Sequence, residues 1–93
     1  MSLSTRIEAK LREAFSPERL SVIDESAQHA GHQPGFAGAE GTHMRVRIVA
    51  DVFTGMTRLA RHRAITELLQ PEIDQGLHAL AIEPAAPGEE TRW

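Results

Sequence analysis

The stretch His43 to Ala50 constrains this chain most. Met44, Val46, Ile48 and Ala50 alternate with His43, Arg45, Arg47 and Val49. Successive side chains of a strand point to opposite faces, so the alternation predicts a strand with one apolar and one largely basic face. A sheet built around it can take helices on its apolar side only, leaving the basic side toward water.

The chain has 93 residues, which is one domain. A domain of this size buries ~60–65% of its unfolded surface, so the core is modest. Phe15, Phe36, Phe53 and Trp93 are its only aromatic residues. The interior must therefore be mostly Leu, Ile, Val and Ala.

Thr5 and Glu8 have the spacing of a capping box, with Thr5 as N-cap. Ile7, Leu11, Ala14 and Phe15 follow as one apolar helical stripe, so a helix is predicted from Thr5 to Phe15. Ser16-Pro17 stops it. Leu20 to Asp24 reads as a short strand. Glu25 to Thr42 is a Gly-, Ala- and His-rich loop without periodicity, and loops of this length are usually functional or disordered. Phe53-Thr54-Gly55 is a turn. A second helix is predicted from Thr57 to Gln70, with Ala64, Ile65, Leu68 and Leu69 as its apolar arc and Pro71 ending or kinking it. Leu77 to Ile82 is the third strand. Residues 1–83 form the expected domain, and Pro84 to Trp93 a tail expected to be mostly disordered, with Trp93 its one candidate anchor.

The expected fold is therefore α/β in the broad sense: an α+β two-layer αββαβ domain. Its sheet is small, three-stranded and mixed, with helices on one face. The first two strands should pair antiparallel, and the second helix should carry the chain over to the third by a right-handed crossover.

Several function classes lack the residues they need. With no cysteine, the chain has no disulfide, thiol nucleophile or thiolate metal site of its own. The net charge of -3 argues against nucleic-acid binding by bulk charge, though not against a local basic patch. No apolar run approaches the ~18 residues that span a bilayer. No Ser/His/Asp or paired-carboxylate arrangement supports an enzyme. Gly35-Phe36-Ala37-Gly38 matches the G-x-x-G phosphate clamp of KH domains, but it lies between strands rather than between helices and is read as chance.

The chemistry concentrates in five histidines: His29, His32, His43, His62 and His78. Histidine titrates near neutral pH and is a frequent metal ligand. His29 and His32 form an H-x-x-H in the long loop, either ligands on an arm or two solvated side chains. His43 opens the second strand and reads as structural. Arg61-His62-Arg63 places positive charge in the first turns of a helix, against the macrodipole. Arg61 also falls within the apolar arc. An anionic partner, or a carboxylate elsewhere in the fold, would explain the cluster. His78 stands at the edge of the third strand, and its pattern favours a semi-buried histidine satisfied by a backbone carbonyl.

Taken together, these segments resemble the BolA family. The matching pieces are Asp24-Glu25-Ser26 followed by His29, and Thr42-His43 entering a strand with Val46, Ile48 and Val49. Next come Phe53 and Gly55, Arg61-His62-Arg63 with Ile65, and His78-Ala79-Leu80-Ala81-Ile82. The resemblance spans roughly residues 5 to 83 and implies a class II KH-like fold without the clamp.

It also implies two roles. One is an adaptor that binds a monothiol glutaredoxin as a heterodimer and shares a [2Fe–2S] cluster with it and glutathione, in iron homeostasis or cluster trafficking. His78 matches the family's histidine ligand, and His29 or His32 would supply the loop ligand. His62, Arg63 and His78 would meet the partner. The isolated chain is expected to hold no cluster and to be a monomer or weak homodimer in the cytoplasm. The other role is a DNA-binding transcriptional regulator, for which Arg45, Arg47, Arg58, Arg61 and Arg63 could supply phosphate contacts.

Overall fold

A computed structural model describes residues 2–26 and 43–93. Its elements are α1 (Leu3–Phe15), β1 (Arg19–Asp24), β2 (His43–Val49), a 3₁₀ turn (Asp51–Phe53), α2 (Arg58–Leu68), α3 (Gln70–Asp74) and β3 (Ala79–Ala85). The strands form one three-stranded sheet in the order β1-β2-β3. β1 pairs antiparallel with β2, Val22 opposite Val46, and β3 pairs parallel with β2, Val46 opposite Ile82. The sheet is therefore mixed, as expected. No described helix is long and apolar enough to cross a membrane.

Met44, Val46 and Ile48 are buried, together with Ile7 and Leu11 of α1, Ile65 of α2, Leu69 and Phe53. Arg45 and Arg47, alternating with them, are only half-buried. The helices thus cover the apolar face alone. Phe53 is fully buried, its ring 5.3 Å from that of Phe15. Burying a side chain of this size stabilises by ~1.5–3 kcal/mol, a large share for so small a core.

The helix ends show which local signals won. Ser2, not Thr5, caps α1: its hydroxyl accepts from the Thr5 N–H at 3.2 Å. The earlier start adds Leu3 to the residues packed on the core. Ser16 ends α1 in the left-handed region at φ 46°, its N–H reaching Arg12 O, just before Pro17. Thr57 caps α2 through Ala60 N–H at 3.1 Å. Pro71 does more than end that helix. After a break at Leu69 it sits in the first turn of α3, where a missing N–H leaves nothing unpaired.

β3 departs most from expectation, beginning at Ala79 and running to Ala85, past the expected domain boundary at 83. Pro84 is accommodated because β3 is an edge strand. The segment expected as a disordered tail then packs back on the domain. Glu89 N–H bonds to Ala86 O, its carboxylate grips Arg61, and the Trp93 ring lies 4.4 Å from the Arg19 guanidinium carbon. Composition concealed this, because the Arg partners lie far away in sequence. Val49 shares the open face of the sheet with Arg45 and Arg47, yet is only 4% exposed. Its cross-strand neighbour is Arg19, under Trp93.

Candidate functional site

One end of the sheet holds His78 and the two roots of the segment 27–42. β1 ends there, β2 begins there, and β3 begins there beside β2, with Ala79 opposite His43. The segment 27–42 leaves from Ser26 and returns to β2 at His43. Its two roots are tied together. Glu25 N–H donates to His43 O at 2.8 Å, and His43 N–H donates to the Ser26 hydroxyl at 3.2 Å. Ser26 N–H in turn donates to an Asp24 carboxylate oxygen at 2.9 Å, an Asx-type turn. Asp24-Glu25-Ser26 is thus a structural clasp for the loop.

His78 stands at the same end, exposed, in the residue before β3. Two neighbours place it. Gly76, at φ +127°, turns the chain out of α3 in a conformation that other residues rarely adopt. Leu77 is buried, its N–H bonded to Glu72 O at 3.2 Å. Leu77 therefore takes the inward place that the strand pattern assigned to His78. The expectation of a semi-buried, carbonyl-satisfied histidine is corrected: pairing starts at Ala79, so His78 lies outside the ladder and turns to solvent. Among the described residues its side chain has no hydrogen-bond or ion-pair partner.

His29 and His32 lie outside the described residues, as does Gly35 to Gly38. Among the described residues no group of three His, Asp or Glu side chains could hold a metal ion. One imidazole does not make a metal site, so His78 alone could supply at most one ligand.

His62 and Arg63 lie on α2, His62 half-buried and Arg63 exposed. His62 lines a cleft shared with Glu83, Pro84 and Ala85, at the far end of β3 from His78. That separation is ~20 Å at the usual rise of a strand, so the structure does not bring His62 and His78 to one spot.

The arginines of the basic face are not free. Arg45 Nε donates to Glu25 at 2.9 Å, and Arg47 Nε to Glu83 at 2.8 Å. Arg45 also lies 3.4 Å from Glu83. The hydrogen bond to Glu25 raises the Arg45 pKa, and the bond from Arg47 lowers that of Glu83. Arg61, the charge in the apolar arc, is 8% exposed and held bidentate by Glu89, which raises its pKa. Of the two readings left open for it, the distant carboxylate is the one present. Glu83 and Glu89 went unmarked in the sequence, and Glu25 was marked only within the resemblance; the alternation of Arg45 and Arg47 with apolar residues, and Arg61 in an apolar arc, were the signals that a counter-charge was needed. Arg58 and Arg63 are exposed, with no such partner among the described residues.

The family of BolA-like proteins matches residues 11–89, most of the chain. The chain belongs to the BolA family. A protein of Sinorhizobium sp., described as in the cobS 5' region, is 70% identical over 93 residues, all of both chains. The DNA-binding transcriptional regulator BolA of Escherichia coli (strain K12) is 46% identical over 82 residues, 88% of this chain and 73% of that one. In structure, the BolA domain of SufE1 from Arabidopsis thaliana superposes with a TM-score of 0.84 at 43% identity, covering 97% of this chain and 98% of that domain. The same α+β architecture therefore serves both as a free-standing BolA protein and as one part of a longer chain: this sequence spans 24% of the whole SufE-like protein 1.

Proposed function

We propose that the chain is a BolA-type adaptor, a binding protein rather than an enzyme. It pairs with a monothiol glutaredoxin and contributes His78, with His29 or His32, to a shared [2Fe–2S] cluster. The observation that carries this is the placement of His78: exposed, without a partner among the described residues, and at the end of the sheet where the clasped loop begins and ends. An imidazole fits as a cluster ligand where thiolates come from elsewhere. In a chain with no cysteine, those thiolates have to be the glutaredoxin's and glutathione's. When bound, the cluster would supply one-electron chemistry or be passed on as cargo. The chain's own residues do three things. Leu77 and Gly76 fix His78 in place, the Asp24-Ser26 clasp ties the two roots of the loop together at the same end, and the imidazole supplies the donor.

The test is visible circular dichroism of a [2Fe–2S]-loaded monothiol glutaredoxin, titrated anaerobically with the protein and with His78→Ala, His29→Ala and His32→Ala. The reading expects a spectral change at one-to-one stoichiometry that His78→Ala abolishes and that one of the two loop variants weakens. An unchanged spectrum with the native chain would remove it for that partner.

A second reading, DNA binding, is favoured by the name of the Escherichia coli relative. Here Arg58 and Arg63 would carry it, since Arg45, Arg47 and Arg61 already face carboxylates. It predicts log K falling by ~0.9 per phosphate contact with log salt, a shallow slope for two contacts. Retention of duplex affinity in Arg58→Ala/Arg63→Ala would exclude that surface.

A further inference from the structure

The two edges of the sheet are guarded unequally. β3 carries Pro84, which cannot donate to a further strand, and the segment beyond it returns alongside. β1, the other edge, has no proline and keeps its charges, Arg19 and Asp24, at its two ends. Among the described strands it pairs with β2 alone.

One contact sets the phase of its backbone. Glu25 N–H donates to His43 O at 2.8 Å, and the register places these two residues opposite each other. Bonded pairs recur at every second residue of an antiparallel ladder, so Ile23 and Ser21 also turn their backbone groups to β2. Leu20 and Val22 turn theirs to the outer edge. Their side chains lie opposite Ile48 and Val46 and pack on the core. Yet Leu20 and Val22 stay half-buried, whereas Ile48 and Val46 are fully buried. Ile23, on the open face opposite Arg45, is half-buried too. The edge therefore presents outward backbone groups with apolar side chains on both faces, which is a template for another strand.

That strand is a second β1, because the edge is complementary to itself. Across a twofold axis, the outward backbone groups of two antiparallel copies meet only in registers that match an even-numbered residue to an even-numbered one. Centred on Val22, the pairing sets Val22 opposite its own copy, Leu20 opposite Asp24, Ser21 opposite Ile23 and Arg19 opposite Glu25. Centred on Ser21, it would set Glu18 opposite Asp24 at both ends, and like charges directly opposite destabilise a ladder. Centred on Ile23, it would run past the end of β1 and set Leu20 opposite Ser26. The opposite charges of Arg19 and Glu25 thus select the Val22 register. Each already has a contact in its own chain, with Trp93 and Arg45, so they choose the register more than they bind.

We propose that the chain forms a reversible homodimer by pairing β1 with β1 of a second copy, antiparallel and centred on Val22, which joins two three-stranded sheets into one. A single strand seam is small beside the ~1,200–2,000 Å² of a stable interface, so the dimer is weak. The inference rests on β1 alone and does not depend on the glutaredoxin reading.

The experiment is sedimentation velocity of the full chain over a wide range of concentration, with a crosslinking arm. The mass should rise with concentration toward that of two chains. Val22→Pro removes the central outward N–H at a place where an edge strand tolerates proline. It should weaken association by ~10-fold or more, since each dimer loses two main-chain bonds. Far-ultraviolet circular dichroism establishes that the variant is folded. The crosslinking arm does not need that variant. The chain has no cysteine, so a disulfide in a single-cysteine variant must join two copies. In the Val22 register, two copies of residue 22 have Cα atoms ~5.5 Å apart, within the span of a disulfide, whereas two copies of residue 21 are diagonal and ~7–8 Å apart. Under mild oxidation Val22→Cys should crosslink much faster than Ser21→Cys, and urea should remove the difference. The proposal is overturned by a mass that stays at one chain throughout, by association unchanged in a folded Val22→Pro, or by Ser21→Cys crosslinking as fast as Val22→Cys.

Discussion

Arg61 donates from its two terminal nitrogens to the two carboxylate oxygens of Glu89, at 2.6 and 2.9 Å. Its Nε donates to Met56 O at 3.1 Å, so each of the three guanidinium nitrogens of this buried residue has an acceptor. This ties the first turns of α2 to the segment beyond β3. Arg61→Ala leaves a void and a carbonyl without its donor, and should cost ~1–3 kcal/mol. Glu89→Gln keeps shape and some hydrogen bonding and should cost less. Urea unfolding of the two variants checks the order; a smaller loss in Arg61→Ala than in Glu89→Gln would mean that the contact does not organise the fold.

The same pair predicts how stability depends on acid. Bonding from Arg61 and from Ala86 N–H pulls the Glu89 carboxyl down to about 2, from an ordinary 4.5. Glu83 is lowered in the same direction, chiefly by Arg47. A carboxyl whose pKa is lower in the folded state stabilises that state while ionised. Its contribution is therefore full above about 4.5 and is lost as pH falls toward about 2. Neither group should tilt the stability curve near neutrality. Urea midpoints across the acid range should fall in that window, and Glu89→Gln should flatten part of the fall. An unchanged slope in the variant would show that the pair does not carry it.

The sheet was legible because its central strand writes its two faces in alternation: Met44, Val46 and Ile48 inward, Arg45 and Arg47 outward. Period alone settles that much. The ends of elements were less legible, since Ser2 and Thr5 offer the same hydroxyl chemistry and only the packing of Leu3 separates them. His78 was misplaced on pattern because Leu77, one residue earlier, could also be the inward residue; where pairing starts is decided by the register with β2, a long-range fact. The order of the C-terminal segment was hidden for the same reason. Glu89 and Trp93 find their partners in α2 and β1, and no local composition announces such a contact.

Glu72 is a second case of a buried charge at a junction. It is 4% exposed, with Lys10 at 2.7 Å and Arg6 at 3.3 Å, so it pins α3 to α1. Both cations are partly exposed and can turn to water when the carboxylate is removed. Glu72→Ala should therefore cost about 1–2 kcal/mol, below the 3–5 kcal/mol typical of stranding a fully buried charge. A double-mutant cycle with Lys10→Ala measures the pair directly. A coupling near zero would make Glu72 a packing residue whose charge is incidental.

His78 and Leu77 are neighbours with opposite duties, and the contrast separates fold from ligation. Leu77 is buried against the core, and Leu77→Ala should cost ~2–5 kcal/mol through the cavity it leaves. His78 is exposed and makes no side-chain bond among the described residues, so His78→Ala should change stability by no more than ~0.5 kcal/mol. Denaturant unfolding of the isolated chain checks both. A neutral His78→Ala means that any loss of a glutaredoxin-dependent cluster spectrum in that variant reports the missing imidazole rather than a damaged domain. A destabilisation approaching that of Leu77→Ala would instead show His78 packed against the loop, and its role at the mouth of the sheet would be to hold that loop in place.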